Sequence, residues 1–219
     1  MLPNLSAEEA RIIGCLMEKS VVTPAQYPLT LNALTSACNQ KSGRNPVMAL
    51  EKFTVQRAAR LLDAKHLIRT EENFKSGTEK YRQRLCNTRL SDFQFDPPQF
   101  AIICVLLLRG PRTPGELRAN SGRLHTFADN SAVLTALNTL IQRENDPLVV
   151  KLPRTPGRRD AEYMHLLSGP IDIDAHVAQT QATRPREPRA VSVSGLEQRV
   201  AKLEAEITEL KEQLLKSQD

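Results

Sequence analysis

Apolar positions in the first 20 residues, Ile12, Ile13, Cys15, Leu16 and Met17, follow Ser6-Ala7-Glu8-Glu9, and together they predict a helix running to about Lys19. Ser6 can accept from the Glu9 amide while Glu9 reaches back, which is a capping box. Thr23-Pro24 begins a turn, a second helix is expected over 29–39, and Lys41-Ser42-Gly43-Arg44-Asn45-Pro46 has loop chemistry. A third helix is expected over 51–65, with Val55, Ala59 and Leu62 on its buried stripe. Leu67 to Thr70 and Tyr81 to Leu85 flank Lys75-Ser76-Gly77-Thr78 and read as a hairpin.

The pattern then recurs. A shift of 90 positions places Ile12-Ile13-Gly14-Cys15-Leu16-Met17-Glu18-Lys19 on Ile102-Ile103-Cys104-Val105-Leu106-Leu107-Leu108-Arg109, and Thr23-Pro24 on Thr113-Pro114. In this second copy Thr113 caps, Pro114 takes the first helical position and Glu116 completes the box. Its third helix is expected over 130–143, and its hairpin strands over 148–152 and 163–166, around a basic tip with Arg154, Arg158 and Arg159. Three helices and a hairpin, twice, make the expected fold mainly α with small β-hairpins (α+β): two tandem winged helix-turn-helix domains, residues 1–90 and 91–168.

Beyond them, residues 169–193 hold several prolines and no period, as a flexible linker does. Residues 194–219 then read as a coiled-coil helix. Leu196, Val200, Leu203, Ile207, Leu210 and Leu214 recur at alternating steps of four and three, with Val200, Ile207 and Leu214 at a positions. In parallel register Arg199 faces Glu204 of a second copy and Glu206 faces Lys211, so the seam predicts a parallel homodimer. The alternative is that so short a helix folds back on its own domains.

Charge narrows the partners. The net +5 conceals a gradient: residues 1–90 carry 14 Lys and Arg against 8 Asp and Glu, while 91–168 carry 9 against 8. A polyanion should therefore meet the first half. On the third helix of the first copy, burying Val55, Ala59 and Leu62 turns Gln56, Arg57 and Arg60 outward. Arginine can bond a guanine edge through two hydrogens or clamp a phosphate, so this helix is the expected reader of double-stranded DNA, with Lys41, Arg44, Lys75 and Lys80 touching phosphates. The bland alternative is an ordinary solvated face. In the second copy Val133, Leu137, Leu140 and Ile141 point inward, leaving Thr135, Asn138, Thr139 and Gln142 outward, a polar surface without a cation and better suited to a protein partner.

Other chemistry is sparse. Cys15, Cys38, Cys86 and Cys104 lack CxxC spacing, and His66, His125, His165 and His176 stand in unrelated contexts, so neither a metal site nor a cofactor is expected. No nucleophile has a visible base partner, and no GxSxG, Walker or GxGxxG string is present, which argues against an enzyme. The longest apolar run, Phe100 to Leu108, is about half a membrane span. With unpaired thiols and no leader-like start, the expectation is a cytoplasmic, membrane-free protein.

Thr23-Pro24-Ala25-Gln26-Tyr27-Pro28-Leu29-Thr30, Ala37-Cys38-Asn39-Gln40-Lys41, Leu106 to Gly110 with Thr113 to Arg118, and Tyr163-Met164-His165-Leu166 resemble strings of the YceH-like family of bacterial proteins. The resemblance spans about residues 5–168 and implies a tandem winged-helix fold, with no catalytic residue to carry over. The function expected is thus a dimeric, transcription-regulator-like DNA-binding protein; the alternative is a winged-helix scaffold for protein partners.

Overall fold

A computed structural model describes residues 2–73, 77–89, 91–143, 146–154, 160–171 and 204. Residues 1–173 form one compact unit and 174–219 another. In the latter Glu204 is helical and exposed. The linker and the seam residues Leu196, Val200, Leu203, Ile207, Leu210 and Leu214 lie outside the described residues, as do Lys75, Arg158 and Arg159.

The first half runs α1 (Ala7–Val22), β1 (Leu29–Thr30), α2 (Leu31–Cys38), α3 (Lys52–Ala64), β2 (Ile68–Asn73) and β3 (Thr78–Gln83). The Ser6–Glu9 capping box forms as expected, with the Ser6 amide 2.9 Å from Glu9 Oε2. Two details differ from the sequence pattern. α1 continues past Lys19 to Val22, and Leu29–Thr30 leave the second helix to pair with Tyr81 and Lys80 of β3. Thr30 then caps α2 through its hydroxyl. β3 is therefore central in an antiparallel sheet of order β1-β3-β2, with Arg69 directly opposite Arg82 and Glu71 opposite Lys80.

The second half repeats the three helices and hairpin: α4 (Pro97–Arg109), α5 (Pro114–Ser121), α6 (Asn130–Ile141), β4 (Val149–Lys151) and β5 (Tyr163–His165). The Thr113–Glu116 box forms, and a further one, Asp96–Gln99, opens α4 earlier than its apolar run suggests. The architecture of the first unit is α+β, with six α-helices, a short 3-10 turn at Pro24–Gln26 and two small antiparallel sheets among its described residues.

The two copies share one hydrophobic core built on α1 and α4. Every residue of α1 from Glu9 to Glu18 is buried, and so is every residue of α4 from Phe100 to Leu108, as befits helices packed on all sides. They meet at Gly14. A Cβ there would lie 2.8 Å from Leu108 Cδ2 and 3.1 Å from Leu107 Cβ, so any side chain would force the two leucines to shift. Cys104 Sγ donates to the Gly14 carbonyl at 3.5 Å. Gly14 and Cys104 are equivalent positions under the 90-residue repeat. The two halves of the sequence thus pack into one compact unit. No helix among the described residues is long and apolar enough to cross a membrane.

Candidate nucleic-acid interface

α3 buries Val55, Ala58, Ala59 and Leu62 and presents the rest to solvent. Arg57 and Arg60 are exposed, Gln56 is half-buried, and neither arginine has an ion pair among the described residues. Arg57 acts at a distance on Glu8, whose carboxyl lies below its usual range chiefly through its hydrogen bond from Ser6, with Arg57 adding to it. Lys52 and Gln56 border a concavity of about 330 Å³ closed on the hairpin side by Glu72 and Glu79. The N-terminal end of α3 therefore faces carboxylates.

Of the expected phosphate contacts, Lys41 and Lys80 are exposed. Lys80 sits on the outer face of the hairpin, opposite Glu71. Arg44 requires correction. It is 5% exposed, its Nη2 lies 2.6 Å from Glu18 Oε2, and its Nε donates to the Ala37 carbonyl. A guanidinium held in this way cannot reach a phosphate, because its donors are already committed inside the fold. Burial pushes the Glu18 carboxyl up, but the Arg44 hydrogen bonds and charge, with Lys19 and Arg123, bring it below the usual carboxylate value.

A second buried arginine was invisible to the sequence reading. Arg11 is 2% exposed and donates to the carbonyls of Cys38 at 3.0 Å and Pro46 at 2.7 Å, with Leu108 at 3.5 Å. The Asn45 amide also donates to the Leu108 carbonyl. The 39–50 loop is thereby tied to the C-terminal end of α4, and α3, which follows it, is held relative to the second half.

Two further features escaped the sequence reading. Phe53 is 71% exposed and Leu61 53% exposed, both on the solvent side of α3 beside the arginines; Phe53 lies about 200° around the helix from Val55, so the periodicity contained this signal. Arg69, Arg82, Arg84 and Arg89 line one concavity on the outer face of the β2–β3 hairpin. Alternation along β3, with Tyr81 and Gln83 buried, sends Arg82 outward. In the second half, α6 buries Val133, Ala136, Leu137 and Leu140 and exposes Thr135, Asn138, Thr139 and Gln142, the neutral surface expected.

Residues 5–158 match a family described as "Protein of unknown function, DUF480". The chain is 50% identical over 214 residues to a UPF0502 protein of Shewanella woodyi, covering 96% of this chain and 97% of the relative. It is 47% identical to a UPF0502 protein of Photobacterium profundum, covering 96% of each, and 44% identical to one of Cronobacter sakazakii, covering 98% of this chain and 96% of the relative.

Proposed function

Since the chain belongs to the DUF480 family, whose description assigns no function, its surface must supply the reading, and we propose that it is a non-catalytic, dimeric DNA-binding protein. In this reading each half is a winged helix-turn-helix, and α3 of the first half enters the major groove. The observation that carries it is the pair of exposed arginines, Arg57 and Arg60, one turn apart on the solvent face of α3 and without ion pairs among the described residues. The equivalent face of α6 is neutral, which supports looking for duplex binding in the first half.

The test is fluorescence anisotropy of the full chain with mixed-sequence duplexes at two salt concentrations. Binding should weaken steeply with salt, and Arg57→Ala and Arg60→Ala should each cost about 1–3 kcal/mol if they reach base edges. Replacing Arg158 and Arg159 in the second half should cost less. Absence of salt-sensitive binding, or a larger loss from the second-half control, sinks this assignment.

One observation favours a second reading, a scaffold for protein partners. Phe53, Leu61 and the 56%-exposed Val47 offer apolar area that duplex binding does not require. That reading takes the lead if the anisotropy assay finds no duplex binding.

Dimerisation is assigned to the tail through Leu196, Val200, Leu203, Ile207, Leu210 and Leu214 as a parallel coiled coil. A chain ending at Ile173 keeps the tie between the Leu5 amide and the Leu167 carbonyl, so its compact unit is preserved. Sedimentation should find it monomeric and the full chain dimeric. A shortened chain that stays dimeric would move the interface into the first unit.

A further inference from the structure

We propose that the outer face of the first hairpin is an anion site for a phosphate group, formed by Arg69, Arg82, Arg84 and Arg89 and distinct from the α3 surface. These four arginines, with Glu71 and Thr88, line a concavity of about 380 Å³, four guanidiniums against one carboxylate. Arg69 and Arg82 are in direct cross-strand register. Like charges directly opposite on neighbouring strands repel, so the hairpin carries a local electrostatic cost that an anion seated between them would remove.

The site is held in shape by its surroundings. The Arg82 guanidinium stands 5.6 Å from the centre of the Tyr27 ring and 3.4 Å from Glu71, and Tyr27 is itself fixed by the Gln83 amide donating to its hydroxyl at 2.7 Å. The Arg84 amide donates to the Leu67 carbonyl. The segment that supplies Thr88 and Arg89 is closed by Asn87, whose side chain donates to the Phe95 carbonyl at 2.9 Å and accepts from the Phe95 amide at 2.6 Å. Gln94 Nε2 donates to the Thr88 carbonyl at 2.8 Å. The backbone is thus pinned on both sides of the concavity, while Arg69, Arg84 and Arg89 have no ion pair among the described residues.

Several guanidiniums around one concavity suit a phosphate, whose three terminal oxygens can be shared among several donors where a carboxylate offers two. The phosphate has two possible sources, the backbone of a bound nucleic acid or a free phosphorylated molecule, and the chemistry at the site is the same for both.

The probe is inorganic pyrophosphate titrated into the full chain by calorimetry at low salt. The expected result is saturable binding, weakened at least tenfold in the double variant Arg69→Gln/Arg89→Gln and to a smaller degree in Arg89→Gln alone. Both arginines are exposed, and matching melting curves would show that the fold is kept. Arg57→Ala should bind pyrophosphate as the unchanged chain does, so failure of the α3 reading leaves this site standing and the reverse also holds. If the double variant also weakens duplex binding and pyrophosphate displaces the duplex, the source is nucleic acid; if duplex binding is unaffected, it is a free phosphorylated ligand. Absence of saturable pyrophosphate binding, or binding that survives the double variant, overturns the proposal.

Discussion

Glu18→Ala is expected to lower the unfolding free energy by about 3–5 kcal/mol, the range for stripping one partner from a buried ion pair. Arg44 has no exposed side-chain surface, and Glu18 supplies two of its acceptors, at 2.6 and 3.2 Å. Without Glu18 the guanidinium keeps Gln40 Oε1 and the Ala37 and Gly43 carbonyls but loses its counter-charge. The cost arises from the stranded charge rather than from the pair itself. Glu18→Leu combined with Arg44→Met should accordingly recover most of the loss, since well-packed apolar replacements of buried pairs are often neutral. Urea unfolding of Glu18→Leu, Arg44→Met and their combination closes the cycle. A loss below about 1 kcal/mol in Glu18→Ala would mean that Arg44 reaches water by another route.

Acidification gives the second large effect, through His165. This side chain lies in β5 at 3% exposure, its Nδ1 has no partner, and burial pushes its pKa down to about 4 from the ordinary 6.5. The folded value is the lower one, so as pH falls the unfolded chain takes up the proton first. Stability is therefore unaffected above about pH 7 and is lost as pH falls from 6.5 toward 4. The loss comes to about 3 kcal/mol in all, with about 2 kcal/mol gone by pH 5, before most carboxylates titrate. Urea midpoints between pH 7 and pH 5 should fall in the unchanged chain and stay nearly level in His165→Phe. Equal slopes in the two proteins would show that His165 is not the responsible group.

The features that were legible in the sequence share a short physical range. The capping boxes Ser6–Glu9 and Thr113–Glu116 span three residues and depend on hydrogen bonds that the local chain makes by itself, while a third expected box, Ser194 to Glu197, lies outside the described residues. The stripes on α3 and α6 follow from the 3.6-residue period. The strand Leu29–Thr30 was missed because its partners, Tyr81 and Lys80, lie some 50 positions on, and nothing in the local pattern distinguishes it from the start of α2. The arginine concavity was missed for a related reason. Arg69 and Arg89 are ordinary surface cations until the hairpin register and the Asn87–Phe95 clasp bring them together.

The amino-acid order by itself determined the two copies, their helices and hairpins, the family and the outward direction of Arg57 and Arg60, because each depends on periodicity, capping or a string of adjacent residues. The tertiary structure alone decided which charges belong to the interior. Glu18 occupies the position equivalent to Leu108 in the second copy, yet it is buried as a charge because the loop after α2 brings Arg44 against it. Arg44 looks like a loop cation until the fold brings it to a carboxylate 26 positions away. A charge is stable inside a protein only where an opposite charge or well-placed hydrogen-bond acceptors meet it, as Glu18 meets Arg44 and three carbonyls meet Arg11, and those partners come from segments distant in sequence.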